Sequence, residues 1–226
     1  MFSYVRKYCQ CLNIFDYNVE TLAVLPYIAE HGGKAYAATG RGRSTGTKLV
    51  CLDSSFNRPG LYEVEMGTAL SVVVNDLGKG FKRKTKALHI GGPLGGLVPV
   101  DKIKDLSIDF ESFAQEGFLL GHASVIGIPE DFPMIDYLEH LFEFCAHESC
   151  GKCTPCREGT GWLEKVLYRM SHNEGRPSDL DMLLDVGDNI SPGLNAPFTQ
   201  TTICPLGPSS VSCVVSLNKF FRDDVL

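Results

Sequence analysis

The stretch Glu148-Ser149-Cys150-Gly151-Lys152-Cys153-Thr154-Pro155-Cys156-Arg157-Glu158-Gly159 sets three cysteines in the pattern C-x2-C-x2-C. A further cysteine, Cys204, stands beyond an interval of 47 residues and is followed by Pro205. An extended strand rises about 3.3 Å per residue and would hold Cys150 and Cys156 roughly 20 Å apart. Residues three apart in tight turns come within about 5–6 Å. If the three thiols serve one cofactor, the segment must therefore wrap in turns. Gly151 permits an unusual backbone there, and Pro155 stops a regular strand.

Three close thiolates with a remote fourth beside a proline fit a cubane [4Fe–4S] cluster. The candidate ligands are Cys150, Cys153, Cys156 and Cys204. A tetrahedral zinc site is the rival, though it usually shows two separated ligand pairs. A disulfide or a catalytic role stays open beside these. Lys152 and Arg157 are candidates to offset a cluster's negative charge, and backbone N–H groups of the turn can donate to sulfur. Ordinary solvated charge is the plainer reading of both side chains. His147 could replace a thiolate, but the count of four cysteines makes it unnecessary. His140 reads as helix surface.

The chain has nine cysteines, an odd number that excludes complete pairing within one chain. The first 17 residues show no apolar core and no small-residue cleavage site of a secretory signal. A reducing, cytoplasmic setting is expected, where clustered thiols bind metal or do redox work. Cys145 and Cys213 fall on apolar helix faces and read as small hydrophobes. Cys51 lies in a strand, and Cys9 and Cys11 in a leader without a clear period.

At 226 residues with 44% hydrophobic content, the chain can bury one or two cores and is not disordered. Its net charge of −6 argues against a general nucleic-acid partner. No apolar run approaches 18 residues, so no direct membrane insertion is expected. Apolar spacing predicts a helix over 18–32, ended by Gly32 and Gly33. Residues 39–47 read as a loop. Strands are expected at 49–52, 61–66, 86–90 and 123–128, with LVPV after a glycine-rich turn at 91–96. Residues 69–78 are ambiguous between helix and strand. A short helix is expected from Ser107 to 117. The strands make a small mixed sheet. After Pro129, helical spacing predicts four helices: 135–146, 161–170, one after Ser178, and one from Pro208. The Trp162, Leu163, Val166, Leu167 and Met170 positions mark one apolar face of the second. The run Gly40 to Gly46 matches neither a dinucleotide fingerprint nor a P-loop.

The motifs together resemble the C-terminal part of the NADH-binding flavoprotein subunit of respiratory complex I. They also resemble its relatives in NAD-dependent formate dehydrogenase and bidirectional hydrogenase. The resemblance rests on Asn18-Val19-Glu20-Thr21-Leu22-Ala23, GTKLVCL (46–52), PGLYEVEMGT (59–68), IGGPLGG (90–96), LLGHASV (119–125), FCAHESCGKCTPCREGT (144–160) and ICPLG (203–207). It covers about nine-tenths of the chain. The wording LLGHA and FCAHESC looks closer to the formate-dehydrogenase and hydrogenase branch.

The resemblance implies an α+β fold in three parts. Residues 1–45 would be a leader and remnant of the flavin domain. Residues 46–130 would be a small β-grasp (SLBB-like) domain, and 131–226 a four-helix [4Fe–4S]-binding domain. Cys150, Cys153, Cys156 and Cys204 match the family's cluster ligands. Asn18 matches a residue beside the flavin in the family, but the glycine-rich FMN and NADH loops have no counterpart here. FMN and NAD would belong to the complete family enzyme and not to this chain alone. The implied function is an electron-transfer module, passing single electrons from a flavin held elsewhere. The implied partners are a flavin-holding part and further Fe–S subunits of an NADH or formate dehydrogenase or hydrogenase complex. Such a module would be cytoplasmic or peripheral to a membrane complex. The abrupt start of the match at Asn18 suggests a truncated, split or mis-started gene product. The alternatives are a binding or assembly module with structural zinc, or a non-functional remnant.

Overall fold

The computed structural model describes residues 17–194 and 199–225. Cys9 and Cys11 lie outside the described residues. The chain divides into a unit ending at Ala38 and a unit spanning Thr39–Leu226. In the first, α1 (Val19–His31) and α2 (Gly33–Ala37) follow each other around Gly32. Asn18 Oδ1 accepts the Glu20 amide at 2.8 Å, which caps α1. The apolar positions predicted for this helix are real, yet none of its residues is buried.

The second unit starts with a hairpin, β1 (Gly40–Arg41) and β2 (Ser44–Thr45), where the sequence predicts only a loop. Gly40 and Gly42 take positive φ, which lets so short a stretch reverse. Five strands then form one sheet: β3 (Thr47–Leu52), β4 (Gly60–Glu65), β5 (Thr85–Ile90), β6 (Gly96–Pro99) and β7 (Ser124–Pro129). Their order is β4-β3-β7-β5-β6. The first and last strands, β3 and β7, run parallel at the centre, and every other pair is antiparallel. This is the β-grasp arrangement.

The ambiguous stretch is helical. Leu70–Val72 opens α3, which continues in wide π-type turns over Val73–Leu77. Leu70, Val73 and Val74 enter the core there. The β-branched run leaves the sequence ambiguous there, and packing against the sheet decides for a helix. The short helix α4 spans Phe110–Gln115, not from Ser107, because Asp109 supplies the cap. Its carboxylate accepts the Ser112 amide at 2.6 Å.

Period-2 alternation explains how the sheet serves two cores. Leu88 and Ile90 of β5 face the core made with α3, Phe113 and Phe118. Ala87, with Leu97 and Ile128 from the neighbouring strands, joins a second core of helical residues. That is why β5 reads as a continuous apolar run rather than an alternating one.

The second core belongs to α5 (Met134–Glu148), α6 (Thr154–Ser171), α7 (Asp179–Ile190) and α8 (Leu206–Phe220). Helix α5 buries Leu138, Leu141, Phe142 and Cys145, as the spacing predicts, with Met134 ahead of them. Helix α6 begins seven residues earlier than its apolar period shows, because Pro155 sits in the first turn, where its missing N–H costs nothing. Its buried face is Leu163, Val166 and Leu167, while Trp162 is exposed. Ser178 makes no side-chain cap for α7. Asp179 works there instead: its carboxylate accepts the Arg176 amide at 2.8 Å and the Arg169 Nε at 3.0 Å. Helix α8 starts at Leu206, ahead of Pro208, again with the proline inside the first turn. Among the described residues, no helix is long and apolar enough to cross a membrane.

Candidate metal centre

The three-cysteine segment straddles the join between α5 and α6. Helix α5 stops at Glu148, and the Ser149 amide closes it on the Cys145 carbonyl at 3.2 Å. Cys150 and Gly151 form the loop, and Gly151 has φ +75°, a conformation that suits glycine. Arg157 Nη1 donates to the Gly151 carbonyl at 2.8 Å and holds the loop against α6. Cys153 occupies the N-cap position of α6, and Cys156 lies in its first turn. The segment therefore wraps as predicted, with a helix start supplying the last turn.

The fourth cysteine arrives from the loop before α8. The Ile203 amide donates to Cys153 Sγ at 3.4 Å, so Cys204 is carried to the same place. Thr202 Oγ1 donates to the Cys204 carbonyl at 2.6 Å and shapes this loop. The start of α8 presses on Cys156. A Cβ on Gly207 would lie 2.9 Å from Cys156 Cβ and 3.4 Å from its Sγ. Only glycine allows that approach. Ser149 Oγ sits 3.3 Å from Cys156 Sγ on the other side.

Exposure is graded across the four thiols. Cys156 is buried, Cys153 half-buried, and Cys150 and Cys204 exposed. Burial pushes the Cys156 thiol up, the Ser149 hydroxyl pulls it down, and Cys204, Cys150 and Cys153 push it up again. The other three sulfurs thus stand close enough to act on Cys156. Bringing all four to the thiolate form calls for compensating positive charge. A cluster of iron ions supplies it, and amide and hydroxyl donors already face two of the sulfurs. The donor set therefore fits a cluster. Among the described residues, no group of three or more His, Cys, Asp or Glu is set to hold a metal ion.

The other predicted residues fall outside this pocket of sulfur. Lys152 is exposed. Arg157 is bonded to Gly151 and, at 2.8 Å, to Glu158. His147 is exposed beside Glu148, and His140 beside Glu143. Asn18 spends its carbonyl oxygen on the α1 cap. Cys51 is exposed on β3. Cys145 and Cys213 are buried as expected. Burial first, then Cys156, pushes the Cys145 thiol up to about 12. Burial, then Cys145, also pushes Cys213 up.

Sequence reasoning missed Ser149 and Gly207, although both flank cysteines of the motif. It also missed a polar junction inside the second core. His89 is 1% exposed, with Nδ1 2.8 Å from the Tyr137 hydroxyl and Nε2 3.7 Å from Cys213 Sγ. Cys213 donates to the Gly95 carbonyl at 2.8 Å. Burial is the main cause that lowers His89 to about 4; a bond to the Gly95 backbone opposes it and His122 adds to it. The imidazole is neutral at pH 7, and it ties β5, α5, α8 and the 91–96 turn together. Nothing in the strand KALHI marks its histidine as internal.

Residues 136–226 match the family described as the NADH-ubiquinone oxidoreductase-F iron-sulfur binding region. The chain is 37% identical over 207 residues to the F 2 subunit of NADH-quinone oxidoreductase from Rhizobium meliloti (strain 1021), covering 91% of this chain and 47% of that protein. It is 33% identical over 211 residues to the F subunit of NADH-quinone oxidoreductase from Rickettsia bellii (strain OSU 85-389), covering 92% and 49%. The chain thus spans about half the length of the curated relatives it matches. Among solved structures, it resembles a chain of NAD+-reducing [NiFe]-hydrogenase in the H2-reduced state, with a TM-score of 0.79 and 28% identity. That likeness covers 92% of this chain and 34% of the other. The air-oxidized state of that hydrogenase gives a TM-score of 0.80 at 29% identity.

Proposed function

We propose, from the premise that residues 136–226 are an iron–sulfur binding region of the NADH-ubiquinone oxidoreductase-F type, that this chain is an electron-transfer module. Cys150, Cys153, Cys156 and Cys204 are its ligands. The carrying observation is the convergence of two distant segments, fixed by the Ile203 amide on Cys153 Sγ. A [4Fe–4S] cluster bound there would accept and release single electrons. The residues of this chain set its surroundings. Cys156 anchors the buried side, under Ser149 and Gly207. The exposed Cys150 and Cys204 keep the opposite side near the surface, where a partner can approach. Lys152 and Arg157 add positive charge just outside the ligands.

The relatives supply the wider setting. We infer that the chain works beside other subunits of an NADH dehydrogenase or hydrogenase complex, including a flavin-holding part and further Fe–S subunits. A formate dehydrogenase complex is the third setting that the sequence resemblance suggests. FMN and NAD belong to the portion of the relatives that this chain does not span, so NADH oxidation is not assigned to this chain alone. We read 1–45 as a leader and flavin-domain remnant, 46–130 as the β-grasp part and 131–226 as the cluster part. A cytoplasmic place, peripheral to any membrane complex, follows from the same reading.

Anaerobic reconstitution with iron and sulfide analysis tests the assignment. About four irons and four sulfides per chain are expected, with an EPR signal on reduction. Zinc without iron refutes it and favours a structural-zinc module. So does a cluster indifferent to Cys204→Ser. Tight stoichiometric FMN binding by this chain refutes the division of labour.

A further inference from the structure

At the end of the sheet where β3 finishes and β5 begins, an open cleft of about 290 Å³ lies between the loop after β3, the segment leading into β5 and the end of β7. Asp53, Ser55 and Gly127 form its inner wall, and Lys82 and Arg83 stand at its exposed side. The inner wall is tied by its own hydrogen bonds. Ser55 Oγ donates to Asp53 Oδ1. The Gly127 amide donates to Asp53 Oδ1 at 3.2 Å and to Ser55 Oγ at 3.1 Å. Both bonds to the carboxylate fall on the same oxygen. Among the described residues, Asp53 Oδ2 takes no hydrogen bond.

The basic run Lys82-Arg83-Lys84-Thr85-Lys86 is unusual in a chain of net charge −6. Two of its charges are met by carboxylates, Lys84 by Glu130 and Lys86 by Asp224. The other two are not. Lys82 Nζ donates only to the Ser54 carbonyl, at 2.9 Å, and the Arg83 guanidinium has no partner among the described residues. Those two line the cleft.

We propose that this cleft binds a small phosphate monoester carried on a hydroxylated carbon skeleton, of the chemical class of a pentose phosphate or nucleoside monophosphate. A phosphate monoester carries close to two negative charges near neutral pH, matching two cations. The guanidinium fork takes two phosphate oxygens, and the ammonium adds a point charge. Asp53 makes the site selective. Its free oxygen repels a bare anion but accepts a hydroxyl, so the ligand must offer both groups. The volume is at the small end of ligand pockets, which favours a compact molecule. This site is independent of the cysteine motif, and its failure would leave the cluster assignment standing.

Calorimetric titration of the reconstituted protein at low ionic strength tests the proposal with ribose 5-phosphate, AMP, inorganic phosphate and ribose. Saturable binding of ribose 5-phosphate or AMP is expected, with ribose silent. AMP binding more tightly than ribose 5-phosphate would place the base in the cleft as well; equal affinity would limit recognition to the sugar phosphate. Arg83→Gln should weaken the sugar phosphate about tenfold, the worth of a charge-assisted hydrogen bond. Asp53→Asn, which can still accept through Oδ1, should weaken the sugar phosphate and strengthen inorganic phosphate. No saturable binding at millimolar ligand overturns the proposal. So does binding unchanged by Arg83→Gln, or a shift of both anions in the same direction by Asp53→Asn. Should Asp53→Asn fail to fold, the exposed variants Arg83→Gln and Lys82→Gln decide the matter by themselves.

Discussion

His89 should make the protein acid-labile in a defined window. Its folded value of about 4 lies below the ordinary 6.5, because burial disfavours the imidazolium. Above pH 6.5 both the folded and the unfolded chains hold a neutral His89, and its full contribution is present. Between 6.5 and 4 the unfolded chain binds the proton and the folded chain does not, so stability falls as pH falls. The interval between 6.5 and about 4 amounts to about 3 kcal/mol, at 1.36 kcal/mol for each step of one in pH. At pH 5, roughly 2 kcal/mol of it should be gone. Urea unfolding of the protein and of His89→Gln at pH 7.5 and pH 5, followed by far-UV circular dichroism, isolates the effect. At pH 7.5 the variant should be the weaker, having lost bonds to Tyr137 and to the Gly95 turn. At pH 5 its deficit should shrink by about 2 kcal/mol. The groups facing His89 from each neighbour are Tyr137, Cys213, the Gly95 carbonyl and His122. Tyr137 and Cys213 are both pushed up, so they do not titrate in this range. A deficit that stays constant between the two pH values refutes the reasoning.

Other substitutions probe the cysteine motif and the bundle. Gly207→Ala places a methyl 2.9 Å from Cys156 Cβ, and it should cost about 1–3 kcal/mol and lower iron content. Thermal unfolding and iron analysis check both. Cys145→Ala should keep the full iron content, since that thiol is a buried neighbour and not a ligand; Cys156→Ser should not. Loss of iron in Cys145→Ala contradicts the ligand set. Arg169→Ala leaves the Asp179 carboxylate, fully buried, without its ion partner. A loss of about 3–5 kcal/mol in denaturant midpoints is expected, and a loss under 1 kcal/mol would show that Asp179 has found another partner.

The thiol spacing, the strand positions and the helical half were legible in the sequence because each obeys a local rule. Turn geometry limits C-x2-C-x2-C, and apolar period marks α5. Helix starts were less legible. Pro155 reads as the end of a strand and Pro208 as the start of a helix, yet both lie inside a first turn, where N–H groups have no intrahelical acceptor and a missing one costs nothing. Segment 70–77 stays ambiguous in the sequence for a different reason: its valines favour a strand in isolation, and only the core under the sheet decides for a helix. Trp162 sits at helical spacing but on the wet side of α6, since the period fixes a face and not its neighbour. The convergence of Cys204 on the motif needed the fold, because no local rule spans the interval between them. His89 needed it too, as a strand buried on both faces carries no alternation to betray its inward side chains.

The position of β7 has a consequence for how the chain is made. Cys51 of β3 pairs with Ser124 of β7, a separation of 73 residues. A ribosome adding 5–20 residues per second needs roughly 4–15 s to cross that gap. During that time the β3–β4 hairpin has emerged with its inner edge bare, and the middle of the sheet is vacant. The nascent β-grasp is a hairpin awaiting its centrepiece, open to strand-to-strand mispairing with neighbouring chains on the same message. Synthesis slowed between codons 66 and 123 should therefore lower soluble yield, while slowing after codon 129 should not.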